Sequence, residues 1–81
     1  MLHIIYTEAE VLLSKRKWTS WREIQDALPA YKASLGPWTS AETAQFLQDE
    51  YPNLRPSAEM QVRGLEASEL ETAALTFEDV Q

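Results

Sequence analysis

The chain has 81 residues, 44% hydrophobic and 25% charged, with 13 acidic side chains against seven Lys and Arg and a net charge of −6. It contains no cysteine, a single histidine (His3) and two distant glycines, Gly36 and Gly64. That composition excludes disulfide staples, thiolate catalysis, cysteine-based metal cages and a glycine-rich phosphate loop. A chain of this size buries only about 60% of its unfolded surface, so residues 1–81 are expected to form one domain that gains from a partner or a second copy.

Met1 to Tyr6 is apolar apart from His3 and reads as a short strand or an extended arm. From Thr7 to about Lys17 the spacing predicts a first helix. Thr7 and Glu10 fit a capping box, Tyr6 and Val11 a hydrophobic staple, and Ala9, Leu12 and Leu13 an inward face. Lys15, Arg16 and Lys17 would then complement the dipole at its C-terminal end. Trp18-Thr19-Ser20 opens a second helix, Ser20 to about Leu28, with a Ser20–Glu23 box and with Trp21, Ile24, Ala27 and Leu28 turned inward. Pro29 ends or kinks it, Ala30 to Leu35 offers a further turn, and Gly36-Pro37 is a stop. The tripeptide recurs as Trp38-Thr39-Ser40 before a third helix, Thr39 to about Tyr51, with a Thr39–Glu42 box and Ala44, Leu47 and Tyr51 on one face beside Phe46.

Pro52 and Pro56 bracket a loop. Residues 57–66 fit two patterns, a half-exposed strand on Met60, Val62 and Gly64 or a helix on Ala58, Val62 and Leu65. Glu66 to Leu75 reads as helical with Glu66, Glu69 and Glu71 on an acidic outer face, and the tail 76–81 is expected to fray, with Phe77 and Val80 available to dock. The elements sum to a mainly α, compact three- to four-helix domain.

The pattern from Leu12 to Leu28, a basic helix end followed by Trp-Thr-Ser-Trp-Arg-Glu-Ile-Gln-Asp-Ala-Leu, resembles the opening of winged helix-turn-helix domains over about a quarter of the chain. The resemblance implies a three-helix core with room for a small two-stranded sheet between residues 1–6 and 59–65, and a DNA-binding transcriptional regulator. The chain departs from that pattern in two ways. Pro29 to Trp38 stands where a tight turn is expected, and the would-be recognition helix offers Glu42, Gln45, Gln48, Asp49 and Glu50 without a Lys or Arg to neutralise phosphate.

Charge is divided unevenly. Residues 1–37 balance at +1, whereas residues 38–81 carry nine acidic side chains against Arg55 and Arg63, a balance of −7. Such a surface repels nucleic acid and attracts a basic protein. Trp18, Trp21 and Trp38 cluster in one window, and tryptophan is favoured at interface centres because it buries a large area at low entropic cost. The carboxylate pairs Glu23/Asp26 and Glu66/Glu69 read as solvated faces, and no catalytic residue, cofactor site or metal-ligand set is expected. Apolar runs stop far short of the roughly 20 residues of a membrane span, and no basic region precedes a long apolar one, so a cytoplasmic location and no membrane partner are expected. The expectation is therefore a small, helical, acidic protein-binding module, an adaptor, regulator or inhibitor of the kind that bacteria and phages use, and no enzyme. Trp18, Trp21, Trp38, Asp49, Glu50, Glu66, Glu69 and Glu71 are its contact residues, with a basic protein surface as partner, homodimerisation allowed and DNA regulation as the alternative.

Overall fold

The apolar N-terminal run does form a strand. In the computed structural model, which describes residues 1–78, it is β1 (Leu2–Thr7), followed by β2 (Val11–Ser14), α1 (Trp21–Ala27), β3 (Tyr31–Trp38), α2 (Ser40–Glu50), α3 (Ala58–Ala67) and β4 (Thr72–Ala74). The strands make one sheet in the order β3-β1-β2-β4, each neighbour antiparallel. The molecule is thus mixed α/β, and both the mainly α assignment and the description of the chain as helical are corrected.

The expected first helix is a β-hairpin. The Thr7 hydroxyl accepts the Glu10 N–H at 3.0 Å and the Ala9 N–H at 3.4 Å, and the Thr7 N–H donates to the Glu10 carbonyl at 3.0 Å. A hydroxyl three residues before an N–H is what a helix cap requires, but it closes a tight turn equally well. The supposed staple residues Tyr6 and Val11 lie directly opposite each other across the hairpin. The cations were expected at the end of a helix, and Lys15 does cap one, but the helix is α3. Its ammonium donates to the carbonyls of Leu65, at 2.8 Å, and Ser68, so the positive charge sits where the α3 dipole is negative.

Alternation along β1 divides the core. Leu2, Ile4 and Leu13 face α2 and α3, meeting Leu47, Ala58, Val62 and Leu65 in one buried cluster. Each large side chain buried there contributes on the order of 1.5–3 kcal/mol. Ile5 points the other way and is fully buried, as is Ile24 of α1, and neither belongs to that cluster. The connection from β2 to β3 must cross β1, and α1 lies on it, so a second, smaller core forms on the reverse face. On the α2 side, burial and then a hydrogen bond with Tyr51 push the Tyr6 phenol up to about 12.

The expected pairing of residues 1–6 with 59–65 does not occur. Residues 59–65 lie inside α3, whose Ser57 N-cap accepts the Met60 N–H at 3.3 Å. Besides α2, the helix with a side-chain cap is therefore α3, which starts after Ser57. The helix expected over Glu66 to Leu75 ends instead at Ala67, where Ser68 N–H and hydroxyl both return to the Leu65 carbonyl, and the chain runs on into β4. Ala30 to Leu35 adds no helical turn, because the chain from Tyr31 onward is β3. Phe77 bridges to Leu54 and stands 5.6 Å from Tyr51, while the tail residues 79–81, including Val80, lie outside the described residues.

Candidate protein-binding groove

β3 ends at Trp38 and α2 begins two residues later, so the indole is fixed beside the first turns of the helix. The Thr39–Glu42 box forms as the sequence predicts: the Thr39 hydroxyl accepts the Glu42 N–H at 3.1 Å, and the Glu42 carboxylate accepts the Thr39 N–H at 3.0 Å. That backbone hydrogen bond holds the Glu42 carboxyl below its usual range. Thr43, fully buried, donates its hydroxyl to the Thr39 carbonyl at 2.8 Å and locks the same turn from inside.

From this anchored start, α2 projects Ala41, Glu42, Gln45, Phe46 and Asp49 along one side. These positions fall on neighbouring turns, and with Trp38 they line an open groove of about 660 Å³. Trp38 and Phe46 meet edge to face at 5.2 Å, which holds both rings in place. Gln45 donates to both carboxylate oxygens of Asp49, at 3.1 and 3.2 Å, so the acid is held at the rim. The groove therefore has an aromatic wall, a small-residue floor at Ala41 and two carboxylates. Its lining offers a large apolar side chain a place to bind, and a neighbouring cation a counter-charge.

Of the residues singled out from the sequence, Trp38 and Asp49 are brought together here, with Glu50 exposed at the end of the same helix. Trp18 is elsewhere, half-buried, with its Nε1 donating to Ser14 Oγ at 3.0 Å and the Arg16 guanidinium 4.3 Å from its ring centroid. Trp21 opens α1 at 53% exposure with Arg22 alongside at 5.3 Å, and so does not fill the core. Glu66 accepts a hydrogen bond from the Ser40 hydroxyl, tying α3 to the start of α2, whereas Glu69 and Glu71 lie in the α3–β4 connection and share no helical face with it. Sequence reasoning missed Phe46, Ala41, Glu42 and Gln45 as lining residues. The signal is present in the spacing 42, 45, 46, 49, which follows one side of α2 from Trp38 onward.

Among the described residues, no three His, Cys, Asp or Glu side chains gather in a metal-binding arrangement, and no helix is long and apolar enough to cross a membrane. Comparison of the chain with protein-family models, with curated proteins and with solved structures finds no match in any of the three.

Proposed function

We propose that this protein is a small binding module that holds a segment of another protein in the α2 groove, acting as an adaptor, regulator or inhibitor. The observation that carries the reading is the Trp38–Phe46 wall beside the fixed Asp49 carboxylate: large apolar contact with an acidic rim suits a segment that pairs an aromatic or aliphatic anchor with Lys or Arg. The groove is open at the surface, as helix- and peptide-binding sites are. Glu50 adds a further negative charge along the approach.

The second reading, a DNA-binding regulator, draws on Arg16, Lys17, Arg22 and Lys32. Against it, the exposed side of α2 carries no Lys or Arg. A peptide library displayed on phage and selected on the immobilised protein tests the first reading. Selection is expected to enrich segments that combine Lys or Arg with Leu, Phe or Trp, and Gln45→Lys with Asp49→Lys is expected to weaken them by about tenfold or more while leaving circular dichroism unchanged, because both positions are exposed. Binding indifferent to that reversal overturns the assignment of the groove. Salt-sensitive retention of duplex DNA, in its place, favours the regulator.

A further inference from the structure

A second cleft, of about 290 Å³, opens beside Pro37 near the C-terminal end of β3, where the start of β1 meets the segment after Ser14. Met1, His3, Lys15, Arg16, Lys17, Trp18 and Pro37 line it. His3 and Ser14 are register partners across β1 and β2. The Ser14 hydroxyl, fully buried, accepts from Arg16 N–H at 3.3 Å, Trp18 Nε1 at 3.0 Å and Thr72 Oγ1 at 3.0 Å. That one oxygen folds residues 15–18 back over the strand ends and so builds the wall of the cleft.

We propose that this cleft binds a small organic phosphomonoester, its phosphate held by Arg16 and Lys17 and its organic body against Trp18 and Pro37. Three observations converge on it. His3 is 8% exposed, and its Nδ1 is buried without a hydrogen-bond partner among the described residues. An orphaned polar atom in the residue that lines the cleft calls for an explanation, and a group bound beside it is one. Second, the chain has 13 acidic side chains, yet Arg16 and Lys17 form no ion pair among the described residues, where the pairs are Arg55–Glu78 and Arg63–Glu59. Stacking on Trp18 orients the Arg16 guanidinium and leaves its in-plane N–H groups available to an acceptor. Lys15 is different, for its ammonium is already held by the α3 carbonyls and contributes only field.

Third, the size and lining select the class. The cleft, at about 290 Å³, lies just under the range of ligand pockets, roughly 300 to 1,000 Å³, and so suits a small ligand; its walls include an indole, a proline ring and a methionine. A phosphomonoester carries a charge of about −1.5 to −2 near neutrality, which two separate cations match. A carboxylate, with one charge, is satisfied by a single guanidinium.

Phenyl phosphate titrated at low ionic strength tests the site by nuclear magnetic resonance, because His3 is the only histidine and its imidazole signals are unambiguous. Saturable shifts of those signals are expected, with inorganic phosphate binding several-fold more weakly because it lacks the ring. Arg16→Gln with Lys17→Gln is expected to weaken phenyl phosphate by about tenfold or more, and Arg22→Gln with Lys32→Gln to leave it unchanged. If the first pair loses its circular dichroism signal, Lys17→Glu, at an exposed position, carries the same expectation. Shifts absent, reproduced by sodium chloride at matched ionic strength, or undiminished in the Arg16 and Lys17 variants overturn the proposal.

Discussion

Two hydroxyl residues that look alike in the sequence behave differently in the fold. Thr39 accepts its N3 amide, whereas Ser20, in N-cap position before α1, makes no side-chain cap, and it is Thr19 that donates to Glu23 at 2.9 Å. Thr39→Ala is therefore expected to destabilise by about 1 kcal/mol, lowering the thermal midpoint by roughly 4–8 °C, while Ser20→Ala stays near neutral. Differential scanning calorimetry of the two variants separates them, and equal midpoints would contradict the geometry. His3 carries a second expectation at this scale. Burial lowers its pKa below the usual 6.5, so the fold prefers the neutral ring and the unfolded chain takes up the proton first. Stability from this group is complete above about pH 6.5 and declines as pH falls below it, levelling once the folded value is passed. Thermal midpoints between about pH 7.5 and about pH 5.5, in a buffer free of phosphate, are expected to fall more steeply for the native chain than for His3→Gln.

The two glycines divide by the element that holds them. Gly36 sits in β3 at φ +120°, where an added Cβ would stand 2.6 Å from the Leu2 carbonyl oxygen, so Gly36→Ala is expected to cost about 1–3 kcal/mol. Gly64 lies on the exposed side of α3 with open space around it, and Gly64→Ala is expected to stabilise by about 0.5–1 kcal/mol. Chemical denaturation of both variants checks the opposite signs. The same contrast explains what the sequence revealed of the elements. α1 and α2 were legible because a Trp-Thr-Ser start and a 3.6-residue apolar rhythm agree. β2 was not, because Thr7 and Glu10 present a helix-start signature whose hydrogen bonds a hairpin satisfies equally well. Thr72–Ala74 has little intrinsic strand preference and takes its form from pairing with Leu12, Leu13 and Ser14. Of the groove, Trp38 and Asp49 could be read in advance as separate contacts, but their meeting along one side of α2 depends on where β3 delivers the indole. Residues 15–17 could be read as cations, not as a helix cap at Lys15 and a cleft at Arg16 and Lys17, since the partners of Lys15 lie 50 and 53 residues away at Leu65 and Ser68.

At the scale of the molecule, the strand order places the N-terminal hairpin in the middle of the sheet and the latest strand at its margin. As the chain is synthesised, β1 and β2 can pair almost at once, whereas the outer side of β2 waits for residues 72–74. The Ser14 hydroxyl meets Thr72 across 58 positions, and the Lys15 amide meets the Glu71 carbonyl at 2.8 Å. Until those residues leave the ribosome, β2 presents an open row of amides and carbonyls beside the apolar Leu12 and Leu13, the kind of margin that recruits other nascent chains. A chain stopped after Ser68 would keep all its helices and still lack this cover. Such a truncation is expected to accumulate as aggregates in cell-free synthesis while the 81-residue chain stays in the supernatant. Addition of a peptide spanning residues 69–78 during synthesis is expected to return part of it to the supernatant, whereas the same peptide with Thr72→Pro, which lacks an amide to donate, is expected to fail.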